Sequence, residues 1–180
     1  MRKAGNHFDS LIRSDYVTTG IIVKNEKTIV WTSFVENITI LKNRLKQYNP
    51  LIIYGDVPVR DRADAVKVFQ ESEKNRIMIA NPSAAREGLT LTRANNAIYL
   101  DRNFNLVDYL QSQDRIHRIS QTRECKIFKI IAKNTIDEYI DKVIDVKKEI
   151  AGYVQGDLGI LSNNNLDFLH SKSELLNILG

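Results

Sequence analysis

Apolar residues fall along this chain in short dense runs, and between the runs they recur every three or four positions. "KTIVWTSF" (27–34) is one such run, rich in β-branched and aromatic residues, and it predicts a strand. In the "VENITILKNRLKQY" that follows, Val35, Ile38, Leu41, Leu45 and Tyr48 take the spacing of an amphipathic helix. "LIIYG" (51–55) predicts a second strand, and Pro58 stands where proline favours the first turn of the helix "PVRDRADAVKVFQESE". "RIMIA" (76–80), "AIYLD" (97–101) and "CKIFKIIA" (125–132) predict three more strands. The third leads into the loop "NPSAAREGLTLTRANN", and the fourth into a helix from about Leu106. After the fifth, "TIDE" opens a helix running to about Gly152, with Thr135 and Glu138 at the spacing of a capping box.

Strands alternating with helices in this way predict an α/β fold: a mainly parallel sheet of five or more strands, covered on both faces and joined by right-handed crossovers. The core of the domain spans residues 27–150. Residues 1–26 form a flank of the same domain with a short helix expected around "HFDSLIRSDY"; residues 151–180 form an extension ending in the apolar "SELLNIL".

In open α/β sheets ligands collect at the carboxyl ends of the strands, here marked by Ser33, Gly55, the 81–90 loop and Asp101-Arg102. The helix from Leu106 begins at that edge and carries "QSQDRIHRISQ" (111–121). Steps of about 100° per residue place Tyr109, Leu110, Ile116 and His117 within roughly 60 to 80° of Leu106, on the side that packs against the sheet. Gln111, Arg115 and Arg118 fall at about 140°, 180° and 120°, sharing one arc on the other side. His117 is then a structural histidine, and Asp114 pairs with Arg118 at the i,i+4 spacing. Paired guanidinium groups are either solvated or aimed at phosphate oxygens, which their planar fork suits.

Composition narrows the picture. With 180 residues, 43% of them hydrophobic, the chain suffices for one domain with a full core. Lys and Arg outnumber Asp and Glu by 26 to 22, which makes a polyanionic partner plausible without requiring one. A single cysteine, Cys125, excludes an internal disulfide, and His7, His117 and His170 have no zinc-ligand spacing, so no metal held by protein ligands alone is expected. No apolar run approaches the roughly 20 residues that cross a bilayer, and "MRKAGNHFDS" lacks the apolar core of a signal peptide. The expectation is a cytoplasmic protein with no membrane partner.

"QSQDRIHRISQ" resembles motif VI of superfamily two helicases, in the form closest to the Swi/Snf-like DNA translocases. "SAAREGLTLT" resembles motif V of that family and "KTIVWTSFVENITIL" its motif IV; "LIIYGDVPVRDRADAVKVFQ", "YLDRNFNLVDYLQSQDR" and "TIDEYI" also resemble family elements, in the same order, over about residues 27–140. The resemblance implies the C-terminal, RecA-like three-layer αβα lobe of a nucleic-acid-stimulated ATPase. It makes Arg115 and Arg118 candidate arginine fingers with Gln111 orienting the site, and it carries Glu87, Gly88 and Thr90 over as nucleotide-side positions. Ser33, Ser83 and Arg86 become contacts to nucleic-acid phosphates. The commoner family form has glycines where this chain has Ala85 and Arg86, and asparagine where it has Thr90. Arg86 is therefore either a phosphate contact or a partner of Glu87. Trp31 and Phe34 are either stacking platforms for bases or core, and "KNRLK" (42–46) is a solvated helix face.

No "GxxxxGK[ST]" phosphate loop occurs in the sequence, so this chain alone is expected not to hydrolyse ATP. The resemblance implies ATP with Mg2+ held mainly by a first RecA-like lobe supplied in cis or trans, and double-stranded DNA as the partner. "DEYI" (137–140) mimics the acidic box of a first lobe, but it opens a helix instead of ending a strand and is no magnesium site. For a prokaryotic or phage source the implied location is the nucleoid. Residues 151–180 either brace the first lobe or fold back on their own domain. Two alternatives stand beside this reading: a stand-alone nucleic-acid-binding or regulatory module without catalysis, and an RNA helicase lobe.

Overall fold

A computed structural model describes residues 26–155. The helices expected around "HFDSLIRSDY" and "SELLNIL" lie outside the described residues. The chain divides into two compact units, residues 1–140 and 141–180.

In the first unit all five expected strands form: β1 (Thr28–Trp31), β2 (Leu51–Ile53), β3 (Ile77–Ala80), β4 (Asn96–Tyr99) and β5 (Lys126–Lys129). They make one sheet in the order β2-β3-β1-β4-β5, parallel at every pairing. The helices are α1 (Val35–Arg44), α2 (Val59–Glu71), α3 (Leu106–Asp114) and the start of α4 (Ile136–Gln155), with 3-10 turns at Lys46–Tyr48 and Pro82–Glu87. Pro58 is the N-cap of α2, one residue ahead of the expected first turn.

Register explains the layering. Val30 lies opposite Ile79 and Ile98, and these share a core with Ile38 and Leu41 of α1 and with Leu45, its C-cap. Trp31, one position on, lies opposite Ala80 and Tyr99, and the Tyr99 hydroxyl meets the Ser112 hydroxyl of α3 at 2.6 Å. Because successive strand side chains point to opposite faces, α1 and α3 cover opposite sides of the sheet. Val35, expected on the packing side of α1, is 46% exposed. It is the first helical residue, at the sheet's rim. Trp31 is fully buried and 6.5 Å from the Tyr99 ring, so the core reading holds for it, whereas Phe34 is exposed.

Connections from β1 run toward β2 and those from β4 toward β5, on opposite sides of the β1/β4 pair. That reversal makes the carboxyl ends of β1 and β4 the switch point where open α/β sheets collect ligands. Gly88 closes the 3-10 turn after β3 with φ +76° and no atom within 4 Å of an added Cβ. The cost of a side chain there is therefore backbone strain alone, about 1–2 kcal/mol. Gly88→Ala should lower the melting temperature by roughly 2–8 °C in a thermal scan, and an unchanged or higher value would show that this turn does not require the left-handed conformation.

The capping box at the start of α4 is shifted by one residue. Thr135 Oγ1 accepts from Asp137 N, and Glu138 Oε2 accepts from Asn134 N, whose φ is +59°. In the second unit the described residues are the remainder of α4, where Ile144 is fully buried and Val146 nearly so. Among the described residues no helix is long and apolar enough to cross a membrane, and no group of three or more His, Cys, Asp or Glu is arranged to hold a metal ion.

Candidate functional site

Two polar clusters form, one at the carboxyl ends of the strands and one at the far end of α3. The first is organised by Asp101, which is 7% exposed. Its carboxylate accepts from Thr32 Oγ1, from Ser33 N at 2.7 Å and from Asn37 Nδ2 at 2.9 Å. Asn81, immediately after β3, donates from Nδ2 to the Ser33 carbonyl at 3.1 Å and accepts at Oδ1 from Ser83 N and Ser83 Oγ. The segments leaving β1, β3 and β4 are thereby clasped, and Ser33 and Ser83 are brought together through one asparagine. Ser33 Oγ is buried without a hydrogen-bond partner beside a cavity of about 10 Å³, also lined by Asp101, Arg102, Asp108 and Tyr109. That is about the space of one water molecule.

The second cluster corrects the helical-wheel reading. Helix α3 ends at Asp114, Arg115 is its C-cap, and residues 115–120 form turns, so 100° steps do not carry beyond Arg115. The buried residues of α3 are Asp108, Tyr109 and Ser112, with Leu110 only half-buried. Ile116 is buried as expected, but His117 is exposed, which overturns its structural role. Buried Ser112 pairs with Tyr99, whose phenol pKa is pushed upward by burial.

Gln111 and Arg115 do keep the helical i,i+4 relation, because Arg115 still has αR backbone angles. Arg115 is 9% exposed; its Nε and the Gln111 Oε1 are both buried and have no hydrogen-bond partner. Burial lowers the Arg115 pKa from its ordinary value, nearby Arg118 lowers it further, and Asp114 acts in the opposite sense. Arg118 is held from the segment after Gly88: Nη1 donates to Thr90 Oγ1 at 2.8 Å and Nη2 to the Leu89 carbonyl at 3.3 Å. Its Nε donates to the carbonyl of Asp114 at 3.2 Å, so the backbone of Asp114, not its carboxylate, fixes this rotamer. Thr90 thus joins the arginines, while the side chains of Arg86 and Glu87 lie outside the described residues.

Sequence reasoning gave no role to Gln121 or Asn81. Gln121 Nε2 donates to the carbonyls of Thr92, Ala94 and Ile116, at 2.9, 2.8 and 3.2 Å, tying the turn after α3 to the approach of β4. Asn81 and Asp101 share a signal the sequence does carry, a short polar side chain at the carboxyl end of a buried strand. The segment 81–94 links the clusters, with Ser83 at the first and Leu89-Thr90 at the second.

A family model described as the helicase conserved C-terminal domain matches residues 10–120. The chain is 33% identical over 156 residues to the ATP-dependent helicase FUN30 of Saccharomyces cerevisiae, covering 86% of this chain and 13% of that protein. The crystal structure of the C-terminal part of the Fun30 ATPase domain superposes with a TM-score of 0.65 at 30% identity, over 81% of this chain and 43% of that one. The Sulfolobus solfataricus SWI2/SNF2 ATPase core domain superposes with a TM-score of 0.64 at 28% identity, over 78% and 29% respectively. The chain therefore spans less than half the length of each of these relatives.

Proposed function

We propose, from the premise that this chain belongs to the helicase conserved C-terminal domain family of Swi2/Snf2-type ATP-dependent helicases, that it is the second lobe of a DNA-stimulated ATPase that moves along duplex DNA. The observation that carries this reading is the pair of orphaned polar atoms, Arg115 Nε and Gln111 Oε1, one helical turn apart beside Arg118. A buried guanidinium donor left unsatisfied is costly, and such groups persist where a ligand completes them. ATP with Mg2+, bound mainly on the first lobe, supplies the phosphoryl group whose transfer drives the motor. The donor set fits that partner, since a guanidinium fork matches phosphate oxygens and stabilises charge spreading over them.

In this reading Arg115 presents the open donor, Gln111 beside it orients the site, and Arg118 both adds positive charge and fastens Thr90 and Leu89 to the end of α3. Ser33 and Ser83, clasped by Asp101 and Asn81, form the DNA-facing edge. Ser83 contacts DNA phosphates, joined by Arg86, while Ser33, its hydroxyl buried, makes no phosphate contact, a correction to the expectation, and holds the neighbouring segment in place. The segment 81–94 then joins phosphate contact at one end to the arginines at the other, a route by which DNA could stimulate turnover. The first lobe, in cis or trans, is the required partner.

Contacts led by phosphates release counterions, so affinity should fall with salt. Duplex binding by this chain, followed by fluorescence anisotropy, should weaken about tenfold or more between 50 and 200 mM NaCl if it makes several phosphate contacts. Binding unaffected by salt would contradict it. In the two-lobed protein, duplex DNA should raise ATP turnover more than RNA does; the reverse order would favour an RNA helicase.

A further inference from the structure

The opposite, amino edge of the sheet carries a row of cations that the motor reading leaves unused. Each of four adjacent strands is preceded or begun by them: Lys74 and Arg76 at β3, Lys27 at β1, Arg93 at β4, and Arg123 and Lys126 at β5. In the same turns stand three carboxylates, Glu26, Glu73 and Glu124. The row is contiguous. Arg76 Nε donates to the Glu73 carbonyl at 3.0 Å, Glu73 pairs with Arg93 through its carboxylate, and Arg123 Nη2 donates to the Arg93 carbonyl.

Lys27 lies beneath the row, 4% exposed, donating to the carbonyls of Phe69 and Ser72 at the end of α2. Burial lowers its pKa, Glu73 opposes that, and Arg93, Arg123 and Arg76 add to it. Lys27 thus has a structural use as a cap on the helix's carboxyl end. The exposed Lys74 and Lys126 have no such use, and the row gathers like charges at a cost that a bound anion would offset.

We propose that this rim binds the phosphate backbone of a DNA duplex segment other than the one that meets Ser83. The three inter-strand steps from β3 to β5, about 4.8 Å each, spread the cations over roughly 14 Å, which suits an extended, regularly charged polymer. An acidic peptide would be expected to seek an apolar anchor, and among the described residues no exposed large hydrophobic side chain lies in the turns 72–76, 92–95 or 122–125. A groove of about 380 Å³, lined by Gln47, Tyr48, Asn49, Glu73, Lys74 and Arg76, extends the rim toward β2.

The test is lysine acylation of the full chain, read by mass spectrometry, with and without a 30-base-pair duplex and with polyglutamate as the rival polyanion. Lys74 and Lys126 should be protected several-fold by the duplex and little by polyglutamate. Independently, K74Q/K126Q should reduce the slope of log affinity against log salt by about 1 for each phosphate that the rim no longer neutralises. Unprotected lysines with an unchanged slope, while Ser83→Ala weakens binding, would overturn the rim and spare the carboxyl-edge reading. Protection with no effect of the serine change would do the reverse. Equal protection by polyglutamate would overturn DNA in favour of an acidic protein.

Discussion

Replacing Arg115 by methionine in the two-lobed protein is expected to lower ATP turnover by about 10³- to 10⁵-fold, the range seen when a guanidinium is withdrawn from phosphoryl transfer. The same change should leave the melting temperature equal or higher. Arg115 is nine-tenths buried, its Nε lacks a partner, and both burial and Arg118 press against its charge. Exchanging a poorly compensated buried charge for an apolar side chain of similar length is neutral or stabilising. A group that costs stability and supplies rate is the pattern expected of a working site.

Arg118→Ala should behave differently. Its three donor groups hold Thr90 Oγ1 and the carbonyls of Leu89 and Asp114, so its loss should lower turnover and also loosen the segment after Gly88, lowering the melting temperature. Lysine should rescue neither position, because a point charge cannot reproduce the planar fork. Nucleotide affinity, measured by titration of a fluorescent analogue, should change little for Arg115→Met if the first lobe holds most of the nucleotide. Turnover within tenfold of the parent for Arg115→Met would remove it from the chemistry, whatever happens to stability.

The sheet was legible from sequence because its signal is redundant. Five apolar runs with helical spacing between them leave few other folds; four of the runs contain the strand they predict, and β4 starts one residue before its run, at Asn96. The helix end was not legible. Nothing in "QSQDRIHRISQ" breaks a helix by composition, having neither Gly nor Pro; the ending is tertiary, fixed by Leu91 N donating to the Arg115 carbonyl at 3.0 Å and by the three bonds of Gln121. Two of those contacts, to the carbonyls of Arg115 and Ile116, take up acceptors that a continuing helix would use, and the wheel failed from that point on. Gln111 and Arg115 survived the error because they precede it. The departure of Thr90 from the family's asparagine is resolved in local terms, since its hydroxyl receives Arg118 Nη1.

Asp101 offers the sharpest separation of charge from geometry. Asp101→Ala takes the acceptor from three donors, Thr32 Oγ1, Ser33 N and Asn37 Nδ2, of which only Asn37 Nδ2 keeps another acceptor, Thr32 Oγ1 at 3.2 Å, at a cost of about 3 kcal/mol or more. The melting temperature should fall by roughly 6–12 °C for a domain of this size, and duplex binding should weaken, because Ser33 loses the anchor of its backbone. Asp101→Asn should recover most of both. The new carbonyl can still accept from Ser33 N, and the new amide needs an acceptor. Asn37 Oδ1 is buried and without a partner, so a half-turn of the Asn37 amide supplies one, and the Thr32 hydroxyl can rotate to accept as well. If Asp101→Asn falls as far as Asp101→Ala, the negative charge itself is required and the clasp is electrostatic. If neither variant shifts the melting temperature by 3 °C, the three strand-end segments are held by something other than this carboxylate.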